Sequence, residues 1–289
     1  MKETSLEQIT RLYDEYSTKL NHHLSLEKNK IKNKNGVHTF STATFMYTGA
    51  VSAWVAKKDI RQFSERSNSS IARLAGLFEC SQQGKNIYNL NRWEYYHEFF
   101  SLALSFNSVS LAKEMAEYCS TEKLKGSFEP PPYSVEWTLS LKYLILDIEK
   151  EGKKWLAEFH KRSGNKSNLK YLGYANAMQA IWDRNESAFI KALDHINEHY
   201  PKQINSNAMF WRIDQHFFSQ YGIALVYLAH SKGMNIVYEN TYFPADMMNL
   251  PEHHVTPYIP TPRGLLRQLI KDAVDQHKQQ QDHIKKNKG

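Results

Sequence analysis

Residues 220–250 constrain the fold more than any other part of the chain. A nearly all-apolar run predicts a helix that other helices enclose on most sides; its members are Ile223, Leu225, Val226, Leu228 and Ala229. Lys232-Gly233 predicts the end of this helix, because a cation suits the last turn and glycine adopts the positive φ that often follows. Pro244, after an aromatic stretch, predicts a new helical turn. The rest of the chain must therefore supply helices that cover this one.

Glycine and proline are scarce, with 12 and 9 among 289 residues, and several prolines fall in two clusters. Such a chain has few interruptions, as expected for helices joined by short loops. Glu129 and the three prolines after it form the strongest break, which predicts a boundary between helical subdomains over residues 1–128 and 133–289. We predict an all-α fold: a multi-helix array of antiparallel helical hairpins, built as one compact domain or two closely packed subdomains.

Apolar periodicity predicts where the helices lie. We expect them near residues 4–28, 42–65, 69–83, 93–106, 110–119, 134–150, 153–163, 167–183, 186–200, 211–231 and 263–284. A Ser/Asn-rich break is expected at residues 66–68, and residues 235–242 are a modest strand candidate. The pair 167–183 and 186–200 predicts a hairpin that turns at Asp183-Arg184-Asn185. Its inner stripe comprises Phe189, Leu193, Ile196 and Tyr200.

The expected compartment is the cytoplasm. The first 16 residues alternate charged and apolar residues and lack the apolar core of a signal peptide, and no later run is long enough to span a bilayer. Cys80 and Cys119 lie in apolar helical contexts and are expected to be reduced, buried thiols. We therefore expect a soluble cytoplasmic protein with no membrane partner.

The charge leaves two interpretations of the partner. A net charge of +7 and a pI near 9.1 are compatible with nucleic-acid binding. Much of the excess, however, lies in residues 28–34 and 285–288, and lysine-rich tails and linkers are more often solvated surface. A helical nucleic-acid-binding or regulatory protein that uses Lys-rich termini is thus the alternative to a protein partner.

The sequence holds no strong catalytic pattern. His195-Ile196-Asn197-Glu198-His199 matches a zinc-peptidase pattern, in which two imidazoles on one helix face share the metal. Pro201 ends the helix too soon for a supporting frame, so the histidines are better explained as a helix C-terminus, whose dipole favours cations. Neither cysteine has a histidine nearby, and no glycine-rich phosphate loop is present. We expect no enzyme, no metal and no cofactor.

Two clusters are the candidate partner contacts. Trp and Arg dominate binding hot spots, although the simpler interpretation of the first cluster is that its tryptophan packs in the core and its arginine pairs locally with a carboxylate. The second cluster lies in an irregular segment, where binding residues concentrate. The candidates are Trp211, Arg212 and Asp214 in the first, and Tyr238, Glu239, Tyr242 and Asp246 in the second.

Roughly the C-terminal third to half of the chain resembles the immunity protein 49 family of bacterial polymorphic toxin systems, on motifs within residues 189–248, whereas the N-terminal half agrees only in being helical. The matching positions are Phe189, Leu193, His199, Ala224, Leu228, Ala229, Gly233, Tyr242 and Pro244. The turn over residues 242–246 also resembles a second immunity family, which guards against DNase effectors. Either resemblance implies a cytoplasmic protein that binds a cognate toxin domain and occludes its active site. Because this chain is basic, it further implies an acidic toxin surface or a local acidic patch that the net charge conceals.

Overall fold

The computed structural model describes residues 7–8, 18–26, 37–82, 94–119, 134–204 and 216–252. Within these ranges the regular structure is helical and no strand forms, which confirms the all-α prediction. The helices are α1 Val37–Lys57, α2 Ile60–Gln82, α3 Glu94–Ser105, α4 Val109–Tyr118, α5 Ser134–Ile145, α6 Glu149–Ser163, α7 Leu172–Trp182, α8 Glu186–His199, α9 Gln220–Ser231 and α10 Ala245–Met248. Short 3-10 helices precede α7 and follow α8, and residues 18–26 are also helical.

Tight turns fold successive helices back on one another. Lys58, Asn107, Asp147 and Arg184 adopt positive φ between consecutive helices, which reverses the chain within a few residues. Side-chain caps start two of the helices that follow these turns: Asp59 accepts a hydrogen bond from the Gln62 backbone amide at the start of α2, and Asn185 accepts one from the Ala188 backbone amide at the start of α8. The pairs α1–α2, α5–α6 and α7–α8 are packed hairpins, and the predicted turn at residues 183–185 is confirmed.

The break predicted at residues 66–68 is wrong, because α2 runs through it. Serines here face α1 instead of solvent, and the Ser70 hydroxyl donates to the Ala43 carbonyl at 2.7 Å. Small side chains let the two helices approach closely, so a composition typical of loops becomes a helix interface. The real break is at Lys58-Asp59.

Three other predicted bounds are also corrected. The helix predicted over 134–150 divides at Asp147, because α5 ends at Ile145 and α6 begins at Glu149. α9 begins at Gln220, where the Ser219 hydroxyl accepts from the Gly222 amide, and residues 217–219 are not helical. Residues 235–242 are irregular, and Pro244 precedes α10 instead of opening it.

The core has α9 at its centre. Every residue from Gln220 to Ala229 is buried, and α9 packs on α3 and α7, which confirms the enclosed helix. Its end at Gly233, with φ +83°, is also confirmed. The Tyr47 hydroxyl donates to the Gln220 side chain at 2.6 Å, and the Trp54 indole donates to the Asp246 carboxylate at 3.3 Å. One apolar core therefore extends from α1 to Leu250.

Other core predictions can be compared directly. The inner stripe of α8, residues 189, 193, 196 and 200, is buried, and Cys80 and Cys119 are buried and form no disulfide. In the described part of the chain, no helix is both long and apolar enough to cross a membrane. The boundary at residues 129–132 and the lysine-rich residues 28–34 and 285–288 lie outside the described residues, so the two-subdomain division stays a prediction.

Candidate partner-binding surface

An irregular segment, residues 234–243, lies along α8 and is fixed to it by three α8 side chains. The Glu186 carboxylate accepts a hydrogen bond from the backbone N–H of Asn235 at 2.6 Å. Further along, Asp194 accepts from the Tyr238 hydroxyl at 3.0 Å, and the Asn197 side chain accepts from the backbone amide of residue 242 at 3.2 Å. The segment therefore runs parallel to α8 and obtains from side chains the hydrogen bonds that a strand would obtain from a neighbour.

The inner side of the segment is anchored in the core. Phe243 is fully buried and meets the Tyr238 ring edge to face, with centroids 5.0 Å apart. The ring fits because Gly222 of α9 has no side chain there: a Cβ on Gly222 would lie 2.5 Å from the Phe243 Cζ. Asn240 and Phe243 exchange backbone hydrogen bonds, which closes the turn. The backbone of the segment is thus determined by contacts on both of its sides.

The outer side of the segment presents an apolar residue beside carboxylates. Val237, between the attachment points at 235 and 238, is 86% exposed. On α8, Ile190 is partly exposed and lies one turn from Glu186 and one turn from Asp194, because residues four apart share a helix face. We call the six residues Glu186, Ile190, Asp194, Val237, Tyr238 and Glu239 the α8 surface.

The α8 surface lies in an acidic part of a basic chain. Residues 234–252 contain Glu239, Asp246 and Glu252 and neither lysine nor arginine, whereas the whole chain has a net charge of +7. α8 adds three carboxylates and one exposed lysine, Lys191. Burial, together with the neighbouring Asp194 carboxylate, raises the pKa of Tyr238 to about 12. The Tyr238 hydroxyl therefore remains a protonated donor at neutral pH.

The predicted contact residues have different environments. Tyr238 is half-buried and Glu239 exposed, both on the α8 surface. Tyr242 is buried, with its ring centroid 4.7 Å from that of Tyr200. Asp246 is exposed on α10, and its carboxylate accepts the indole N–H described above. The structure does not bring Asp246 and Tyr238 into contact. Trp211, Arg212 and Asp214 lie outside the described residues.

Sequence reasoning missed four members of the surface: Glu186, Ile190, Asp194 and Val237. The spacing of the three α8 residues was visible, at steps of four along a helix whose opposite stripe is apolar. Nothing local showed that residues 235–238 would lie against them, since the contacts join positions 44 to 49 residues apart.

The histidine pair on α8 is packed as a stack. The rings of His195 and His199 are 4.2 Å apart and nearly parallel, and the His199 Nδ1 lies 3.1 Å from the carbonyl of residue 195. Burial is the main cause that lowers the pKa of His195, followed by the charge of His199. Across the described ranges, no three His, Cys, Asp or Glu side chains are grouped so that they could hold a metal.

A cleft of about 500 Å³ lies between the first turn of α4, the last turn of α9 and residues 248–252. Several of its polar groups already form hydrogen bonds within the protein. The Tyr227 hydroxyl donates to the Met247 carbonyl and accepts from the Leu250 amide, and Asn107 donates to the Leu250 carbonyl. The His230 Nε2 lies 2.8 Å from the backbone carbonyl of residue 236. Because these groups are already hydrogen-bonded to the backbone of residues 236, 247 and 250, the cleft is less suited to binding a partner than the α8 surface.

Compared with known proteins, the chain matches no protein-family model, no curated protein and no solved structure. The family resemblance of residues 189–248 therefore stays a hypothesis.

Proposed function

We propose that this chain is an immunity protein, which binds a cognate bacterial toxin domain through the α8 surface and blocks the toxin's active site by occlusion. One observation carries the proposal: residues 234–243 are fixed to α8 and the core, yet present Val237 almost fully exposed. A residue held so firmly and covered by nothing described in the chain suits a protein contact. The resemblance to immunity families supplies the class of partner.

The rigidity of the segment suits tight binding. A surface that is already ordered loses little conformational entropy when a partner docks, which favours affinity. A stable complex would bury about 1,600 Å² in total, so the α8 surface would form the centre of a larger interface. The carboxylates around Val237 would steer a partner and set its orientation more than they would add affinity.

The proposal assigns the protein to the cytoplasm, where it would meet an incoming toxin and use no catalysis. Two buried cysteines without a disulfide, Cys80 and Cys119, are compatible with a reducing compartment. The acidic α8 surface favours a partner with a basic face, which supports a local acidic patch over an acidic toxin surface, the two alternatives that the resemblance implies for a basic chain.

The test begins with affinity purification of the tagged protein from the cells that naturally make it, washed at about 0.5 M salt, which screens weak electrostatic contacts. Mass spectrometry should identify one stoichiometric protein, and the purified protein should then inhibit that partner's toxic activity in a titration. If nucleic acid is recovered at low salt and lost at high salt, the electrostatic alternative with Lys-rich termini replaces the proposal.

Val237→Asp locates the contact. Loss of an apolar anchor at an interface centre costs about 2 kcal/mol, so the concentration needed for inhibition should rise about 30-fold. Ile60→Asp on α2 is the matched control, since Ile60 is also an exposed apolar residue. The proposal fails if excess wild-type protein leaves the partner fully active. Equal effects of the two aspartates would refute the assignment of the α8 surface.

A further inference from the structure

The α8 surface is smaller than a stable interface requires. It comprises six residues, whereas each partner in a stable complex contributes about 20–30 residues. The contact with a partner must therefore extend beyond one end of α8. An exposed apolar residue lies near each end: Ile148, 40% exposed, near the first residue of α8, and Leu169, 39% exposed, near the last. The contacts and charges around these two residues indicate the direction of the extension.

A salt bridge joins the turn between α5 and α6 to the segment that carries Val237. The Lys232 ammonium, at the end of α9, lies 2.5 Å from the Asp147 carboxylate, next to the exposed isoleucine. Three residues later, the Asn235 backbone N–H donates to Glu186. At most about 18 Å of extended chain separates Lys232 from Val237, five residues further on. A contact of about 800 Å² per partner is roughly 30 Å across, so one interface can include both ends of this connection.

Trp182, the last residue of α7, makes a second connection. Its indole packs on α6 at Gly152, where a Cβ would lie 2.6 Å from the indole Cζ2 atom. The Gly152 backbone N–H donates to the Ile148 carbonyl at 3.0 Å, one turn earlier. Trp182 is also four residues before Glu186, across the α7–α8 turn, and its side chain is half-buried. It therefore links Ile148 to the α8 surface, and tryptophan is the kind of residue that most often anchors an interface.

The fold holds Ile148 in place, as it holds Val237. Asp147 adopts a positive φ of 58°, which reverses the chain, and the Ile148 backbone N–H donates to the Tyr143 carbonyl at 3.0 Å. Ile148 is then the N-cap residue of α6. Because its backbone is already ordered, little conformational entropy is lost when a partner covers its side chain.

Charge separates the two ends of α8. Near Leu169, the stretch from 159 to 182 contains Lys161, Lys166 and Lys170 and neither aspartate nor glutamate. Lys170 lies at the last turn of α8, since its ammonium donates to the Lys202 carbonyl at 3.3 Å. A partner with a basic face, which the α8 surface favours, would be repelled there.

Charges of opposite sign are paired near Ile148. Asp147 binds Lys232, and Glu149 binds Lys153 at 2.7 Å. These pairs place an apolar residue inside a polar rim of nearly balanced charge, which is the usual arrangement at the centre and edge of an interface. A basic partner can therefore cover this end of α8 without net repulsion.

We propose that the toxin interface extends from the α8 surface across the α7–α8 turn to Trp182 and Ile148, which contact an apolar area within a basic face of the toxin. This inference rests on the proposed function and states which side of the protein the toxin covers. Val237 and Trp182 are then two anchors of one interface, and Leu169 lies outside it.

Ile148→Asn tests the extension. Asparagine is a better N-cap residue than isoleucine and adds no charge, so the variant should fold at least as well as wild type. The probe is the protein recovered in the salt-washed purification described above, titrated by calorimetry. We expect its Kd to rise about tenfold, because an apolar contact inside the interface is lost. Leu169→Asn is the matched control, with nearly equal exposure in the wild type, and should stay within about twofold of wild type.

Trp182 has a readout that needs no substitution. Its oxidation by hydroxyl radicals, measured by mass spectrometry on the wild-type protein, should fall when the recovered protein is bound, because contact removes water from the indole. The oxidation of Leu169 should not change. Equal oxidation of Trp182 in the free and bound protein would refute its role as an anchor.

The outcomes separate this inference from the proposed function. If wild type inhibits the recovered protein but Ile148→Asn binds it as tightly as wild type, the extension is wrong and the proposed function stands. A larger loss in Leu169→Asn than in Ile148→Asn would place the extension at the lysine-rich end instead and would also overturn the proposal. If wild type neither captures nor inhibits a protein, the proposed function fails, and the extension fails with it.

Discussion

The close approach of Phe243 to α9 offers a test of how the candidate surface is supported. In Gly222→Ala, the new Cβ would lie 2.5 and 2.6 Å from the Phe243 Cζ and Cε1 atoms and 2.8 Å from the Ser219 hydroxyl. Carbon atoms in contact prefer about 3.5–4.0 Å, so the ring must move by about 1 Å. Phe243 is fully buried and carries the turn at residues 240–243, so a displaced ring displaces the segment with it.

Three effects determine how much Gly222→Ala changes the free energy of unfolding. Alanine in place of glycine stabilises a helix interior by about 1 kcal/mol. Overpacking a buried site costs about 1–3 kcal/mol, and the upper part of that range applies to a ring with no free space. Disturbing the cap that Ser219 gives to the Gly222 amide adds about 1 kcal/mol. We therefore expect Gly222→Ala to lower the free energy of unfolding by about 2 kcal/mol.

Urea denaturation followed by circular dichroism measures this change, and Gly49→Ala is its matched control. A Cβ on Gly49, in the middle of α1, would meet the Arg66 Nη1 at 2.8 Å, but that atom is the end of a flexible side chain. The Gly49 variant should therefore be as stable as wild type or up to about 1 kcal/mol more stable. The reasoning is wrong if Gly222→Ala is at least as stable as wild type, or if the two variants shift equally.

The remaining predictions concern single side chains, and urea unfolding checks each of them. Tyr47→Phe leaves the buried side-chain oxygen Oε1 of Gln220 without this donor and should cost about 1–3 kcal/mol. Phe189→Ala empties the inner stripe of α8 and should cost about 3–5 kcal/mol, whereas Ile190→Ala, on the exposed side of the same helix, should cost less than about 1 kcal/mol. Val237→Asp should change stability by less than about 0.5 kcal/mol; a larger loss would mean that its effect on partner binding is indirect.

The local sequence pattern predicted the structure correctly where burial depends on one face of a single helix. The apolar run of α9 predicted its enclosure, and Gly233 predicted its end, because burial and positive φ are properties of a few adjacent residues. The α8 stripe was predicted for the same reason. The expected serine-rich break in α2 failed because the partner helix, not the local composition, decides whether a serine is exposed or buried.

The candidate site was only partly predictable, for a different reason. Tyr238 and Glu239 stood out as polar and aromatic residues in an irregular segment. Val237 did not, because an isolated valine next to Ile236 is usual in a buried stretch. Its exposure depends on Glu186 and Asp194, which hold the backbone so that the side chain faces outward.

The bonds that link α1 to the last third of the chain have a consequence for synthesis on the ribosome. Tyr47 pairs with Gln220 across 173 positions, and Trp54 with Asp246 across 192. The first hairpin therefore emerges long before Phe218, Gln220 and Asp246, which contact it in the folded protein, have been translated. At about 5–20 residues per second, its apolar face remains open for roughly ten seconds or more. Pairing of α1 with α2, and of both with α3, would shorten this exposure until residues 216–248 leave the exit tunnel.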